Sequence, residues 1–354
     1  MPAPVIIAAT RAEAAGAVMK IAGLTVIDRA LKQLAQAPEV RVVVVSDGSI
    51  VLPAPLPATV DVRAVNEGAT VLGIAEIAGA LGAPVIGADV VRVDRARFDG
   101  GLRVVDEASR RAAENAVFAA LYRPDLGFVA RRLNKPISVR VTRYFLVRSR
   151  ITPNQITLFA AALGIAGCAL VASGQFAAVC FGFVLEQIQS ILDGCDGELA
   201  RVRFAQSKLG AWLDTFADDV LNVLITVATG VGLYRAGAGY WALVAGVVGA
   251  SMLVLSNLII MRDMRRQKAT GDLMDMVWWF SGGRRLSDLS GSGGKPGIGT
   301  VLFQLGRRDS AIFLWLIFAL LDRLDLVLVM AAIIALCWFV ASVVQLLKAP
   351  DASA

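Results

Sequence analysis

The sequence contains no histidine in its 354 residues, and this absence excludes several kinds of catalytic site. A chain without histidine cannot form a serine–histidine–aspartate triad, a histidine-ligated zinc site or a histidine general base. Carboxylates are therefore the groups from which we expect acid–base and metal-binding chemistry.

Cysteine is also scarce. The four residues fall inside apolar or glycine-rich stretches, without the paired spacing of a zinc site or a disulfide framework. We predict four buried, reduced thiols that pack as small hydrophobic side chains. They are Cys168, Cys180, Cys195 and Cys337.

Charged residues make up only 18% of the chain, below the roughly 25% of an average soluble domain. Hydrophobic residues make up 56% and the mean hydropathy is +0.65, so we predict that much of the chain lies in lipid. The 35 lysine and arginine residues exceed the 29 acidic residues. In so apolar a chain, this excess favours an anionic membrane face or phosphorylated substrates over nucleic acid.

Residues 1–105 alternate strand-like and helix-like segments, which predicts a small, mostly parallel sheet in a cytoplasmic, Rossmann-like α/β domain. No charged segment precedes a long apolar run at the start of the chain, so we predict no cleavable signal peptide. The predicted strands are 5–9, 40–45, 60–65 and 84–89, and the predicted helices are 25–36 and 71–81.

Residues 106–150 are predicted to form a linker with a helix at 106–122 and an amphipathic juxtamembrane helix at 131–150. The second segment contains seven cations and no acid, interleaved with apolar residues. This pattern is typical of a helix that lies on the cytoplasmic face of a membrane.

Residues 151–350 contain six apolar segments, which predict a polytopic α-helical membrane domain with six transmembrane helices. The fifth is short, because the stretch 310–321 is only twelve residues long where about twenty are expected. The segments are 156–173, 176–200, 208–234, 239–261, 309–322 and 325–347.

Basic residues are distributed unevenly over the connections between these segments. Most of them lie after the second and fourth segments, whereas the opposite turns contain only Arg235 and Arg323. The positive-inside rule therefore predicts an inner-membrane protein whose N-terminal domain and long connections face the cytoplasm.

Four aspartates at a fixed spacing lie in the second and third apolar segments. An aspartate at a bilayer centre costs roughly 2.5–3.5 kcal/mol on insertion scales, so four of them indicate a metal ion or a polar cavity. On helices, Asp193 and Asp196 share one face, and so do Asp214 and Asp218. If the two helices pack antiparallel, the faces meet, and a divalent cation would offset the repulsion between the carboxylates. All-oxygen ligation suits Mg²⁺ or Mn²⁺, which bind phosphates in phosphoryl transfer.

Glycines interleaved with the aspartates are expected where backbones or a ligand approach closely. A different interpretation treats the aspartates as helix-end residues that are solvated at the interface and paired with Arg201, Arg203 and Lys208. For one or two acids, this interpretation and a metal site would be equally well supported. The spaced set of four favours a metal site. The glycines are Gly194, Gly197 and Gly210.

The spacing of these residues resembles, at every fixed position, the signature of the CDP-alcohol phosphotransferase (phosphatidyltransferase) family. The segment 151–157 also resembles the start of that family's first span, and the likeness covers about residues 130–350. The resemblance implies a six-helix membrane domain that transfers a substituted phosphate from a CDP-alcohol to an acceptor hydroxyl and releases CMP. The matching pattern is Asp193-x₂-Asp196-Gly197-x₂-Ala200-Arg201-x₈-Gly210-x₃-Asp214-x₃-Asp218.

The resemblance also implies a role for each matching residue. Two metal ions are implied to bridge Asp193, Asp196 and Asp214 to the donor diphosphate. Asp218 is implied to contact a metal as well and to take the proton from the acceptor hydroxyl. A homodimer is implied too. The cytidine and diphosphate are implied to lie near Asn154, Gly197, Ala200, Arg201 and Gly210.

The acceptor is indicated less directly. Asp219 departs from the family's pattern, in which a basic residue often follows the fourth aspartate. Segments 135–140 and 306–309 look similar to bifunctional inositol-phosphate cytidylyltransferase and di-myo-inositol-phosphate-phosphate synthases, which implies CDP-inositol and an inositol phosphate as substrates. Contact with anionic lipid would explain any one of the cations equally well. The predicted acceptor-binding residues are Lys135, Arg140, Arg203, Arg307 and Arg308.

In proteins of that bifunctional type, a sugar nucleotidyltransferase-like domain precedes the membrane enzyme. Here the first predicted strand is not followed by a glycine-rich phosphate loop, and only Lys20 and Asp89 lie where a substrate lysine and a metal-binding aspartate would be expected. Without the glycines the backbone cannot close around a triphosphate. We therefore predict a degenerate, non-catalytic domain with a structural or regulatory role.

Three alternatives stay open. Within the class, the protein could be a phospholipid synthase that uses CDP-diacylglycerol. A cation-binding transporter would have carboxylates near the bilayer midplane, usually with inverted repeats and broken helices. The sequence shows neither inverted repeats nor broken helices. An inactive membrane anchor for the front domain is the third, and it gives no reason for the complete aspartate set.

Overall fold

The computed structural model describes residues 3–9, 14–35, 40–46, 50, 52, 60–64, 85–87, 90–91, 102–122, 127–267, 276–279 and 308–348. The chain forms two compact units. The first comprises residues 1–122, 141–150 and 198–205, and the second comprises residues 123–140, 151–197 and 206–354. The domain boundaries drawn from the sequence stay predictions.

Residues 1–122 of the first unit contain eight strands and three helices among the described residues. In chain order they are β1 (Ala3–Ala9), α1 (Ala14–Ala17), β2 (Lys20–Ile21), β3 (Leu24–Thr25), α2 (Val26–Ala35), β4 (Val40–Ser46), β5 (Val60–Ala64), β6 (Val85–Gly87), β7 (Val90–Val91), β8 (Leu102–Arg103) and α3 (Glu107–Ala119).

The main sheet has four strands in the order β5-β4-β1-β6, and every neighbouring pair is parallel. β1 and β4 are almost continuously apolar, which is typical of parallel strands with both faces covered. Ile7 pairs with Val44, and both side chains are buried. The alternation of the sequence thus predicts this sheet correctly, whereas the predicted helix 71–81 and Asp89 lie outside the described residues.

α3 lies where the sequence predicts a helix, and its start has a clear local cause. Asp106 Oδ1 accepts a hydrogen bond from the Ser109 amide at 2.7 Å, and Ser109 Oγ accepts one from the Asp106 amide at 3.0 Å. This reciprocal pair is a capping box, which satisfies two amides at the helix start. Val117 and Phe118 then bury one face of the helix.

The remaining helices follow the first unit in the chain or link the two units. They are α4 (Lys135–Tyr144), α5 (Pro153–Val171), α6 (Phe176–Arg203), α7 (Lys208–Leu233), α8 (Tyr240–Arg266), α9 (Arg308–Leu320) and α10 (Leu324–Lys348).

The single amphipathic helix predicted for 131–150 is divided into three pieces. A π-helical turn (Ala130–Asn134) precedes α4, and a 3₁₀ turn (Leu146–Arg148) follows it. Pro136 lacks an amide proton, which accounts for the π-helical turn before it, and the helix continues through Pro136 to Tyr144. The predicted helix therefore ends at Tyr144 rather than at residue 150.

Five helices among the described residues are long and apolar enough to cross a membrane, and the protein is an integral membrane protein. The helix α9 has only 13 residues and would extend about 20 Å, whereas a bilayer core is about 30 Å thick. The predicted sixth crossing is therefore not established by length. The five helices are Pro153–Val171, Phe176–Arg203, Lys208–Ala238, Tyr240–Arg266 and Leu324–Lys348.

Small residues let α5 and α6 approach closely. A Cβ on Gly167 would lie 2.8 Å from the Gly182 carbonyl oxygen, and a Cβ on Gly182 would lie 2.7 Å from the Gly167 carbonyl oxygen. Both distances are too short for a real Cβ, so glycine is required on both helices. This contact fixes the spacing of the two helices beside Phe183, which is fully buried.

All four cysteines are free, as the sequence predicts, but they are not equally buried. Cys168 and Cys195 are buried, Cys180 is partly exposed and Cys337 is exposed. The prediction of four buried thiols is wrong for Cys337, because α10 presents that position on its outer face. On a membrane helix, lipid rather than protein covers such a face.

Candidate active site

Two helices of the second unit bring three aspartate carboxylates together. α6 carries Asp193 and Asp196, and α7 carries Asp214 in its second turn. One carboxylate oxygen from each of the three residues lies within 4.8 Å of the other two. Asp196 is buried and the other two are partly buried. Three carboxylates so close together repel one another unless a cation or protons offset their charge.

The start of α7 is set by a side-chain cap. Ser207 Oγ accepts a hydrogen bond from the Gly210 amide at 3.0 Å. A Cβ on Gly210 would lie 3.0 Å from Asn154 Oδ1, which is tighter than an ordinary contact. Glycine at 210 therefore lets the start of α7 lie against Asn154, the predicted donor-binding residue at the start of α5.

Gly194 does not have the same steric reason. A Cβ there would lie 3.5 Å from Ser138 Oγ, an ordinary van der Waals distance. Packing against the protein therefore does not require glycine at this position, and close approach of a ligand there stays a prediction.

Thr157 orients one of the three carboxylates. The helix α5 begins with a capping box between Thr152 and Gln155 and has Pro153 in its first turn. This start places Thr157 one turn into the helix, where its hydroxyl donates to the Asp196 carboxylate. Thr157 is itself buried, so the bond is shielded from water. A hydrogen bond to a ligand's carboxylate holds that ligand in one orientation.

Asp218 lies one turn beyond Asp214 on α7 but outside the three-carboxylate group. Its carboxylate accepts a hydrogen bond from Arg308 Nη1, at the start of α9. The other end of the same guanidinium, Nη2, donates to Gln189 Oε1 at 2.9 Å. Arg308 therefore links the fourth aspartate to α6. Sequence reasoning named both residues but not their pairing.

Further polar side chains precede Asp193 on α6, and the sequence analysis did not identify them. Gln189 precedes Asp193 by four residues and Glu186 precedes it by seven, so the three share one helix face. Cys168 Sγ lies 3.3 Å from Glu186 Oε1, and Gln187 donates to Asn134 Oδ1 at 2.7 Å. The helical spacing from Asp193 was a signal that could have identified Gln189 and Glu186.

The other predicted donor-binding residues lie on the same helix as Asp196. Gly197 follows Asp196 directly, and Ala200 and Arg201 occupy the last turn and a half of α6. Their contact with a nucleotide stays a prediction.

The predicted acceptor-binding cations lie in several places. Lys135 is buried at the start of α4, and Arg140 Nη1 donates to the Pro136 carbonyl at 3.2 Å. Arg203 Nη2 donates to the carbonyls of Leu146, Val147 and Ser149 at 2.5–3.1 Å. Of the predicted set, Arg308 contacts one of the four aspartates, and Arg307 lies outside the described residues.

The three-carboxylate group fits a hard divalent cation. Its donor atoms are all carboxylate oxygens, which Mg²⁺ and Mn²⁺ prefer, and the residues contain no histidine or thiolate that would favour zinc. Asp193 and Asp214 are only partly buried, whereas Asp196 is buried.

The part of the chain that carries this site matches a known family. Residues 150–280 match the model of the CDP-alcohol phosphatidyltransferase family, and all four aspartates lie within that segment. The resemblance predicted from the sequence is thereby confirmed over this segment. CDP-alcohol phosphotransferases are generally dependent on a divalent metal, in agreement with the carboxylate cluster.

Curated proteins with similar sequences share one printed name, bifunctional IPC transferase and DIPP synthase. The protein from Aquifex aeolicus is 30% identical over 208 residues, which are 59% of this chain and 41% of that protein. The Thermococcus kodakarensis protein is 32% identical over 151 residues, 43% of this chain and 34% of that protein. The Archaeoglobus fulgidus protein is 36% identical over 118 residues, 33% of this chain and 23% of that protein. The chain thus spans less than half the length of the curated relatives it matches.

Proposed function

We propose that the protein transfers a substituted phosphate from a CDP-alcohol to an acceptor hydroxyl and releases CMP. The observation that carries this proposal is the convergence of Asp193, Asp196 and Asp214 on one point, with Asp218 one helical turn away. In the reaction, the acceptor oxygen forms a bond to the phosphorus that bears the donor alcohol. The phosphoanhydride bond to CMP breaks, and the acceptor proton leaves.

Asp193, Asp196 and Asp214 would hold Mg²⁺ or Mn²⁺, as two ions if the family's pattern applies. When bound, the metal would polarise the donor diphosphate and offset charge on the departing CMP. Thr157 contributes by holding the Asp196 carboxylate in one orientation through its hydroxyl. The chain's own residues thus build the anionic half of the site before substrate arrives.

Asp218 is the proposed general base. It is outside the three-carboxylate group, so its oxygens need not all be committed to a metal. Arg308 donates to it and keeps the carboxylate pointed in one direction. A base must be within hydrogen-bond reach of the proton it takes, and the ion pair with Arg308 supplies that orientation.

An anionic acceptor is the form of substrate that Arg308 favours. Its guanidinium carries the positive charge that phosphate recognition needs, and it already lies beside the proposed base. We propose CDP-inositol as donor and an inositol phosphate as acceptor, in line with the printed names of the relatives. Lys135 and Arg140 stay candidates for additional contacts with the acceptor.

The proposed membrane arrangement has six crossings, with α9 as a short fifth crossing that begins at Arg308. Arg262, Arg265 and Arg266 end α8, and Arg201 and Arg203 end α6, so the basic ends of these helices support a cytoplasmic site in an inner membrane. We further propose a homodimer, as the family resemblance implies.

The front region is proposed to be a Rossmann-like, nucleotidyltransferase-like domain that has lost catalysis. The four-stranded parallel sheet supports the fold, and the lack of a glycine-rich loop after β1 supports the loss. Full-length protein incubated with CTP, Mg²⁺ and inositol 1-phosphate should release no pyrophosphate. Release above a no-enzyme control would overturn this part of the proposal.

The proposed reaction is tested with purified full-length protein and a panel of CDP-alcohols, scoring CMP with and without candidate acceptors. CMP formation from CDP-inositol that requires both inositol phosphate and Mg²⁺ or Mn²⁺ is expected. CMP formation only from CDP-diacylglycerol, with a lipid product, would instead identify a phospholipid synthase. No metal-dependent CMP from any donor would contradict the whole proposal.

A further inference from the structure

The end of α6 is closed by a residue in an unusual backbone conformation. Phe204, which directly follows the helix, has φ +54°. The Ala205 amide donates to the Ala200 carbonyl at 2.8 Å and the Phe204 amide donates to the Arg201 carbonyl at 3.4 Å. This is the Schellman pattern of helix termination, in which the left-handed position usually holds glycine. A bulky residue there is strained because its Cβ is close to the backbone.

Arg29 of α2, in the same compact unit as residues 198–205, contacts this helix end directly. Its Nη2 donates to the Val202 carbonyl at 3.1 Å and to the Ile21 carbonyl at 3.0 Å. Its guanidinium also lies over the Phe204 ring, 5.4 Å from the centroid. One side chain therefore satisfies a terminal carbonyl of α6 and packs on the strained residue that closes it.

Arg29 lies in a buried position, which is energetically unfavourable for a cation. Only 3% of the residue is exposed, and burial lowers the pKa of its guanidinium to about 10. The side chain still carries its charge near neutral pH, and a positive charge at the carboxyl end of a helix is favourable. Burying an arginine against carbonyls is costly, so the contact is more than a surface ion pair.

Two further contacts hold the same segment. Thr142 Oγ1 donates to Glu198 Oε2 at 2.8 Å, and the Glu198 side chain is fully buried. Arg203 Nη2 donates to the backbone carbonyls of Leu146, Val147 and Ser149. The last two turns of α6 are thus held from residues 29, 142 and 146–149.

α6 is one continuous helix from Phe176 to Arg203, so its end and its aspartates move together. Asp196 precedes Phe204 by eight residues, about 12 Å along the helix axis. A rotation of α6 about its axis would turn Asp193 and Asp196 together with its end. A ligand set for a divalent cation tolerates little such displacement.

We propose that Arg29 is a positioning residue for the metal site. It fixes the end of α6 and thereby the orientation of Asp193 and Asp196, which gives the front region a role that requires no nucleotide chemistry. This inference rests on the proposed metal site, and its consequence is that a change 167 residues before Asp196 in the sequence alters metal affinity.

The first test compares Arg29→Ala with Arg111→Ala in the full-length protein in detergent. Arg111 is an arginine of the same unit whose side chain is 71% exposed and paired with Glu107. Mn²⁺ alone is titrated by electron paramagnetic resonance, without substrate. Arg29→Ala should weaken Mn²⁺ binding about 10-fold, the lower end of the effect of groups that orient a ligand, and Arg111→Ala should stay within about 2-fold of wild type.

A second-site test separates helix positioning from simple loss of folding. In the Arg29→Ala protein, Phe204→Gly removes the strain of φ +54°, whereas Phe204→Ala removes the same ring but keeps a Cβ. Only the glycine variant should recover Mn²⁺ affinity, to within about 3-fold of wild type. If the Arg29→Ala protein does not accumulate, Phe204→Gly and Phe204→Ala are compared in a chain that keeps Arg29. Phe204→Ala is then expected to weaken Mn²⁺ binding more than Phe204→Gly.

Amide hydrogen exchange of residues 197–203 in metal-free protein provides a readout that needs neither metal nor turnover. Exchange should be faster in Arg29→Ala and unchanged in Arg111→Ala. If wild-type protein binds no Mn²⁺ or releases no CMP, the proposed function fails, and the exchange measurement still decides whether Arg29 fixes the helix end. Wild-type Mn²⁺ affinity and exchange in Arg29→Ala, or equal behaviour of the glycine and alanine variants, would overturn the inference.

Discussion

The membrane helices and the front region use their polar residues differently. In the helices, Asp193, Asp196 and Asp214 come from two elements and converge, although each would be costly alone in an apolar setting. In the front region, Lys20 is exposed on a two-stranded sheet, and Arg29 is buried against backbone carbonyls. The first arrangement is suited to binding an ion and the second to holding a helix, so the chemistry is expected in the helices alone.

The largest effect is expected at Asp196, where a substitution tests whether the chemistry lies in the membrane helices. Asp196→Asn removes one charge from the three-carboxylate group while keeping the size of the side chain. We expect Mn²⁺ affinity and CMP release to fall by at least about 100-fold, the upper end of what loss of an outer-shell partner causes. Metal titration and the CMP assay measure both. Asp325→Asn, an exposed partner of Arg323, is the matched control and should behave as wild type.

Arg308 should give the next largest effect. Arg308→Gln removes the charge that pairs with Asp218 and weakens the link to Gln189. A hydrogen bond to a charged group contributes about 1.5–3 kcal/mol, so kcat/KM for the acceptor should fall about 10- to 150-fold. Because Arg308 is not a metal ligand, Mn²⁺ affinity should change little. The exposed Arg323→Gln is the control, and an equal loss there would contradict a specific role.

Thr157 tests the orientation of a single carboxylate. Thr157→Val keeps the shape of the side chain and removes the hydroxyl that donates to Asp196. Mn²⁺ affinity should fall about 10-fold, as expected for a group that orients a ligand. Thr157→Ser keeps the hydroxyl and should retain most of the affinity, and equal loss in both variants would argue against the hydrogen bond.

The smallest effect is expected at Lys20, in the front region. If that domain no longer acts on nucleotides, Lys20→Ala should leave CMP release and Mn²⁺ binding unchanged within about 2-fold, since an exposed side chain contributes little. A loss comparable to that of Thr157→Val would show that the front region takes part in the chemistry, and the contrast between the two regions would fail.

Sequence periodicity predicted much of the fold because the physical signals are local. The apolar run of β4, the helix predicted at 106–122 and the apolar lengths of five spans are each readable within a short window. Spacing alone also placed Asp193 and Asp196 on one helix face. The family signature added Asp214 to the same site, and the structure brings all three together.

The features that the sequence did not reveal depend on long-range contacts. Arg308 follows Asp218 by 90 residues, and Arg29 precedes Val202 by 173, so no local pattern connects either pair. The π-helical turn before Pro136 and the left-handed Phe204 were not predicted, although proline is a recognisable warning of the first. Phe204 gave no such warning, because its residue type does not favour φ above zero.

The most direct test of the central claim is a paired measurement on Asp218→Asn, with Mn²⁺ binding and CMP release determined on the same full-length preparation. Because Asp218 lies outside the three-carboxylate group, the variant should bind Mn²⁺ within a few-fold of wild type. Loss of a general base should lower CMP release about 10²- to 10⁴-fold. Substantial residual turnover by the folded variant would contradict the assignment of Asp218 as the base.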